Sequence, residues 1–123
     1  MPVRPLLGGL AAAACALAGC GQGGTAPTAT PGSAEQGRLL LSQYQCGSCH
    51  TIPGVASAQG RVAGSLQSFG DRSYIAGRVA NRPELLAQWI ARPQSLVPGT
   101  AMPDMGVPPE AARHMAAYLL ERR

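Results

Sequence analysis

Cys46, Cys49 and His50 stand in the run Cys46-Gly47-Ser48-Cys49-His50. At this spacing two thiols can bond the edge of a porphyrin while the adjacent imidazole binds its iron, which is the chemistry of c-type haem attachment. Cys-x-x-Cys alone also suits a dithiol redox pair or half of a zinc site. Zinc needs a fourth ligand, however, and the chain offers only His114 besides Cys15 and Cys20, which fall in what reads as an export signal. The haem reading is the one for which the ligands suffice.

Iron held by one imidazole has a second axial position. Three methionines follow the motif. Met115 falls on the apolar stripe of a predicted helix, where methionine is ordinarily a core filler. His114 has helical neighbours and reads as a solvent-facing or helix-packing residue. Met102 and Met105 share one proline-rich loop, so spacing alone leaves both open. Pro98-Gly99 before Met102 and Pro103 after it restrict the backbone that presents that thioether.

The remaining chain must build a pocket. Of 123 residues, the first 33 do not read as globular, which leaves about ninety for one domain. Such a domain buries a limited core, and its aromatic residues are only Tyr44, Phe69, Tyr74, Trp89 and Tyr118. A large apolar cofactor supplies much of the missing interior. All ten basic residues are arginine, and removing Arg4 with the signal lowers the net charge from +4 to +3. Arg61, Arg72, Arg78, Arg82 and Arg92 are spread out rather than clustered in a stripe, so nucleic acid is not an expected partner.

Residues 1–19 have a basic start at Arg4, an apolar run from Leu6 to Ala18 and small residues before Cys20, the layout of a secretory signal. The run is too short to span a bilayer as a mature helix. Leu17-Ala18-Gly19-Cys20 resembles a bacterial lipobox, which implies cleavage before Cys20, acylation of that residue and anchoring to the periplasmic face of a membrane. Several acyl chains on one residue exceed the two-signal threshold for stable anchoring. Residues 20–33 then read as a lipidated cysteine and a Gly/Pro/Thr/Ala linker with an r.m.s. span of roughly 20 Å.

Residues 34–123 form the expected folded domain. Ser33 and Gln36 make a capping-box pattern that opens a helix from Ala34 to Tyr44, with Leu40, Leu41 and Tyr44 on its apolar side. Thr51 to Ser68 reads as an irregular loop. Tyr74 to Ala80 is expected to form a short helix. Pro83 and Glu84 start a clearer helix, with Leu85, Leu86, Trp89 and Ile90 on one face before Pro93 stops it, Arg92 being pushed out of the helical region. Pro93 to Pro109 reads as a loop. Pro109 and Glu110 start a last helix through Glu121, with Ala112, Met115, Ala116 and Leu119 buried. No strand pattern emerges, and the expected class is all-α.

From Gly37 to Leu120 the chain resembles class I cytochromes c, above all the cytochrome c domains fused to subunit II of haem-copper oxidases. The matching residues are Gly37 and Leu41, Cys46-x-x-Cys49-His50-Thr51, Leu66, Phe69-Gly70-x-Arg72, Asn81-x-Pro83-Glu84, Trp89, Pro93-Gln94, Pro98-Gly99-x-x-Met102-Pro103 and Tyr118-Leu119. The resemblance implies a class I cytochrome c fold of three to five helices around one covalently bound haem c. It also implies that the first and last helices cross at Gly37, with Tyr118 and Leu119 packing there. By the same analogy Cys46 and Cys49 bind haem, His50 and Met102 are the axial ligands, and Arg72 and Trp89 lie near the propionates. Two departures stand out. Ala63-Gly64 replaces the family's Gly-Pro, whose carbonyl accepts the imidazole N–H, and Val97 stands where the family often has lysine. The chain has no lysine at all, so no lysine docking ring exists.

With both axial positions filled, iron has no open site for substrate, and His/Met ligation suits electron transfer. The expected function is a tethered periplasmic mono-haem electron carrier, not an enzyme, passing single electrons from a cytochrome or dehydrogenase donor towards a terminal oxidase. A fixed electron-transfer subunit of a periplasmic dehydrogenase fits the same residues. A haem ligand sensor or peroxidase fits less well, because no distal His and Arg pair is evident.

Overall fold

The computed structural model describes residues 1–2 and 31–123. Apart from Met1 and Pro2, the expected signal over residues 1–19, the lipidation site Cys20 and the linker as far as Thr30 lie outside the described residues. Among the described residues no helix is long and apolar enough to cross a membrane.

Four α-helices, two 3-10 turns and one small hairpin make up the described part of the domain. Helix α1 spans Ala34–Gln43. Ser33 caps it from an extended conformation, its Oγ accepting the Gln36 N–H at 3.3 Å, as the capping pattern predicts. Helix α2 spans Pro83–Ala91, with proline at its first position, where the missing N–H is no loss. Its Leu86, Ala87, Trp89, Ile90 and Ala91 are buried. Arg92 leaves the helical region (φ −148°, ψ 73°), as a residue before proline tends to.

The loop expected from Pro93 onward begins instead with a helical turn, α3, at Pro93–Leu96. Proline that ends one helix is well suited to begin the next, and here the Ser95 and Val97 N–H groups donate to the Arg92 and Pro93 carbonyls at 3.1 and 3.0 Å. Helix α4 spans Pro109–Glu121, again with proline at its first position. Ala112, Met115, Ala116, Tyr118 and Leu119 are its buried residues.

The short helix expected over Tyr74 to Ala80 is a two-stranded antiparallel hairpin, β1 (Tyr74–Ile75) with β2 (Val79–Ala80). Its register pairs Tyr74 with Ala80 and Ile75 with Val79. Tyr, Ile and Val favour extended backbone, and Ala76 and Gly77 take positive φ (48° and 69°), the condition for a tight turn matched to strand twist. Where an all-α domain is expected, the described residues therefore include one small sheet.

Helix α4 packs against both α1 and α2. Contact with α1 is close at Gly37, where a Cβ would overlap the His114 carbonyl of α4. In an ordinary helix interior, Gly→Ala gains up to about 1 kcal/mol of propensity. At this crossing the added carbon meets backbone that cannot swing aside. Gly37→Val is accordingly expected to cost about 3 kcal/mol, read as a lowered urea midpoint at unchanged m-value. A variant as stable as the parent would contradict this packing.

Candidate functional site

The Cys46-to-His50 segment leaves α1 through Tyr44 and through Gln45, whose φ of 56° turns the chain sharply. A single 3-10 turn, Cys46–Ser48, follows. The His50 N–H donates to the Cys46 carbonyl at 3.0 Å, which closes a helical turn over the motif. The loop after it is laced onto this turn. The Gly60 N–H donates to the Gly47 carbonyl at 2.9 Å, Ala63 to Cys49 at 2.9 Å, and Leu66 to Thr51 at 2.8 Å. Thr51 Oγ1 donates to the Gly60 carbonyl at 3.0 Å. From α4, the Tyr118 hydroxyl donates to the Pro53 carbonyl at 2.6 Å. A region that composition marks only as irregular is thus held by backbone pairing at several points.

These elements enclose a cavity of about 340 Å³. Cys46, Cys49, His50, Arg72, Trp89 and Met102 all line it. Apolar side chains from three further places complete the wall: Leu41 of α1, Leu86 and Ile90 of α2, and Ile75 of the hairpin. Arg72 supplies the one permanent charge among the described lining residues. The space falls within the range of pockets that hold small organic cofactors.

His50 has a fixed orientation. Its Nδ1 lies 2.7 Å from the Gly64 carbonyl oxygen. A carbonyl can only accept, so Nδ1 carries the proton and Nε2 of the neutral ring keeps its lone pair for a metal. The Ala63-Gly64 departure in sequence therefore leaves the imidazole–carbonyl bond in place. Gly64 meets nothing within 4 Å of an added Cβ, so no crowding dictates glycine there.

Candidate ligands separate by position. Met102 lines the cavity and is partly buried, whereas Met105 is 44% exposed and lies outside the lining. Met115 is 0% exposed in the core. His114 Nδ1 accepts the Ser33 N–H at 2.8 Å, at the start of α1, which makes it a helix-packing residue.

Cys46 and Cys49 are both free thiols. Burial pushes the Cys46 thiol up from its ordinary value, and the neighbouring Cys49 adds in the same direction. Among the described residues, no group of three or more His, Cys, Asp or Glu side chains converges where a single metal ion could sit. The two thiols and His50 are therefore not disposed as ligands of one ion.

Arg72 reaches the cavity while its Nη2 donates to the Ser65 carbonyl and, at 3.2 Å, to that of Gln67. Its guanidinium also lies 5.0 Å from the Phe69 ring centroid. Trp89 is buried at 8% exposure on α2. Asn81, quoted in sequence only as part of a motif, proves to be a brace. Its Nδ2 donates to the Phe69 and Arg72 carbonyls, each at 2.9 Å, and so holds the segment that carries Arg72. No local sequence signal reports such a brace, since its partners lie 9 and 12 residues away.

The site is thus an apolar cavity presenting two thiols, one oriented imidazole and one thioether. No protein-family profile matches the chain. Among curated proteins it is similar to cytochrome c oxidase subunit 2 of Alkalihalophilus pseudofirmus, with 40% identity over 70 residues, or 57% of this chain and 20% of that protein. It is also similar to cytochrome c oxidase subunit 2 of Bacillus sp. strain PS3, 35% identical over 78 residues (62% of this chain, 22% of that protein). The subunit of the same name from Bacillus subtilis is 35% identical over 77 residues (61% and 22%). The chain spans about a fifth of the length of these relatives. The expected relation to oxidase subunit II is met by these similarities.

Proposed function

We propose that this chain is a mono-haem c-type cytochrome of the class I fold. It is anchored through acylated Cys20 to the periplasmic face of a bacterial membrane and carries single electrons in a respiratory chain towards a terminal oxidase. The observation that supports it most is that Cys46, Cys49, His50 and Met102 line one apolar cavity while the Gly64 carbonyl holds His50 Nδ1. Haem bound there supplies an iron that changes between ferric and ferrous states.

Cys46 and Cys49 would hold the porphyrin edge covalently, and His50 Nε2 and Met102 Sδ would bind its iron. With both ligands in place no position would be left for substrate, which favours electron transfer over catalysis on the iron. Leu41, Leu86, Ile75 and Ile90 give the pocket an apolar wall. Arg72, with Nη2 engaged by loop carbonyls, keeps its Nε and Nη1 donors for a propionate. Similarity to cytochrome c oxidase subunit 2 supports the respiratory setting, with an oxidase as the acceptor.

Expression in a bacterium able to attach haem c tests both parts. The membrane fraction is expected to contain a protein whose haem spectrum survives acid-acetone extraction and changes between oxidised and reduced forms. Mass spectrometry is expected to find acylated Cys20 at its N-terminus, and Cys20→Ala to lose that modification. Extractable haem would overturn the cytochrome assignment, and an unmodified soluble N-terminus would overturn the anchor.

A further inference from the structure

The loop that presents Met102 has little secondary structure of its own. One side chain from the preceding helical turn makes two bonds to its backbone. Gln94 Nε2 donates to the Thr100 carbonyl at 2.7 Å, and Gln94 Oε1 accepts the Gly99 N–H at 2.8 Å. Both ends of one amide are thus engaged by consecutive residues. The pairing also settles the orientation of the amide, because the flipped form would set donor against donor and acceptor against acceptor.

Gly99 needs this support. Its φ of +79° lies in the left-handed region, and the chain must reverse there between Val97 and Met102. The Thr100 N–H closes the turn onto the Val97 carbonyl at 3.1 Å. Thr100 Oγ1 in turn accepts the Met102 N–H at 3.4 Å. A continuous chain of bonds therefore runs from Gln94 through Gly99 and Thr100 to the Met102 backbone. Its base is firm, since the adjacent Pro93 is among the most completely buried residues of the domain.

We infer that Gln94 is a positioning residue for the Met102 thioether: its amide replaces the hydrogen bonds that a strand or helix would otherwise give the loop, and thereby keeps the sulfur directed into the cavity. The inference rests on the haem reading above, in which Met102 is an axial ligand. Gln94 is not among the residues that line the cavity, so its effect is confined to how readily the loop swings out.

The test uses the holoprotein and imidazole, a small ligand that competes with a thioether for iron. Gln94→Leu removes both bonds at similar size. Gln94→Glu keeps the acceptor for Gly99 but sets a carboxylate against the Thr100 carbonyl. Gln88→Leu is the control, because the Gln88 amide reaches only Ser95 Oγ, at 3.4 Å. Two hydrogen bonds correspond to roughly a tenfold gain in imidazole affinity for Gln94→Leu. A smaller gain is expected for Gln94→Glu and none for Gln88→Leu. Amide exchange at Gly99 should accelerate in Gln94→Leu while exchange in α4 does not.

Unchanged imidazole affinity and unchanged Gly99 exchange in Gln94→Leu would overturn the inference. So would an equal gain in Gln88→Leu, which would reduce the effect to general loosening. A wild-type protein without a sulfur-to-iron absorption band would instead overturn Met102 as ligand, and with it the positioning role, while Gly99 exchange would still report whether the clamp exists.

Discussion

Replacing both Cys46 and Cys49 with alanine is expected to leave a chain with no extraction-resistant haem and no cooperative unfolding transition. The first outcome follows from the chemistry of attachment, since no other described cysteine lines the cavity. The second follows from its size. A dry void of about 340 Å³ would cost about 8 kcal/mol at roughly 24 cal/mol per Å³. Water entering through the mouth lowers that figure, yet it remains comparable with the roughly 5–15 kcal/mol by which whole domains are stable. Each single variant keeps one thiol and is expected to retain reduced haem staining. Stain persisting in the double variant would show the attachment assignment to be wrong. A double variant that lacks haem but melts like the parent would show that the cavity stands without its occupant.

Met102→Ala is expected to abolish the sulfur-to-iron charge-transfer band of the oxidised protein and to lower its reduction potential by on the order of 0.1 V. Axial ligation accounts for haem potentials spread over roughly 0.8 V, so loss of a thioether is among the larger single changes available. Met105→Ala should keep both properties, because Met105 is 44% exposed and outside the cavity lining. The contrast between the two variants carries the weight, since they sit three residues apart and share every general effect of a methionine lost from this loop. The reverse pattern would move the ligand to Met105.

The parts of the domain that local chemistry specifies are legible in the sequence alone. Ser33 with Gln36, Pro83 and Pro109 each mark a helix start that the structure has, because capping and the fixed φ of proline act within one turn. Tyr74 to Ala80 was misread because a seven-residue stretch is too short for helical periodicity to show. There, β-branched and aromatic residues around the Ala76-Gly77 turn decide the outcome. Pro93 was read for what it ends and not for what it begins. At the site, Cys46, Cys49 and His50 announce themselves by adjacency, whereas in sequence Met102 is favoured over Met105 only by its flanking prolines and by analogy, and the cavity wall separates the two. The braces are the least legible class. Asn81, Gln94 and the Tyr118 hydroxyl act on backbone carbonyls and amides 5 to 65 residues away, and a backbone atom leaves no signature in sequence.

The Ser33–His114 bond joins residues 81 apart, and the Gly37 crossing lies beside it. Docking α1 on α4 therefore closes a loop of nearly the whole domain, at an entropic cost of about 4 kcal/mol before any other packing repays it. The cavity lies inside that loop, so the bare chain must gather its ends before it has a pocket to fill. On the proposed reading, covalent attachment at Cys46 and Cys49 reverses this order. The largest apolar body in the domain is then carried by the chain from the outset, a few residues from the end of α1, and Leu41, Leu86 and Trp89 can collapse onto it without waiting for a diffusing ligand. On that reading two thioether bonds would serve folding speed as well as retention, by making an encounter between molecules into a contact within one.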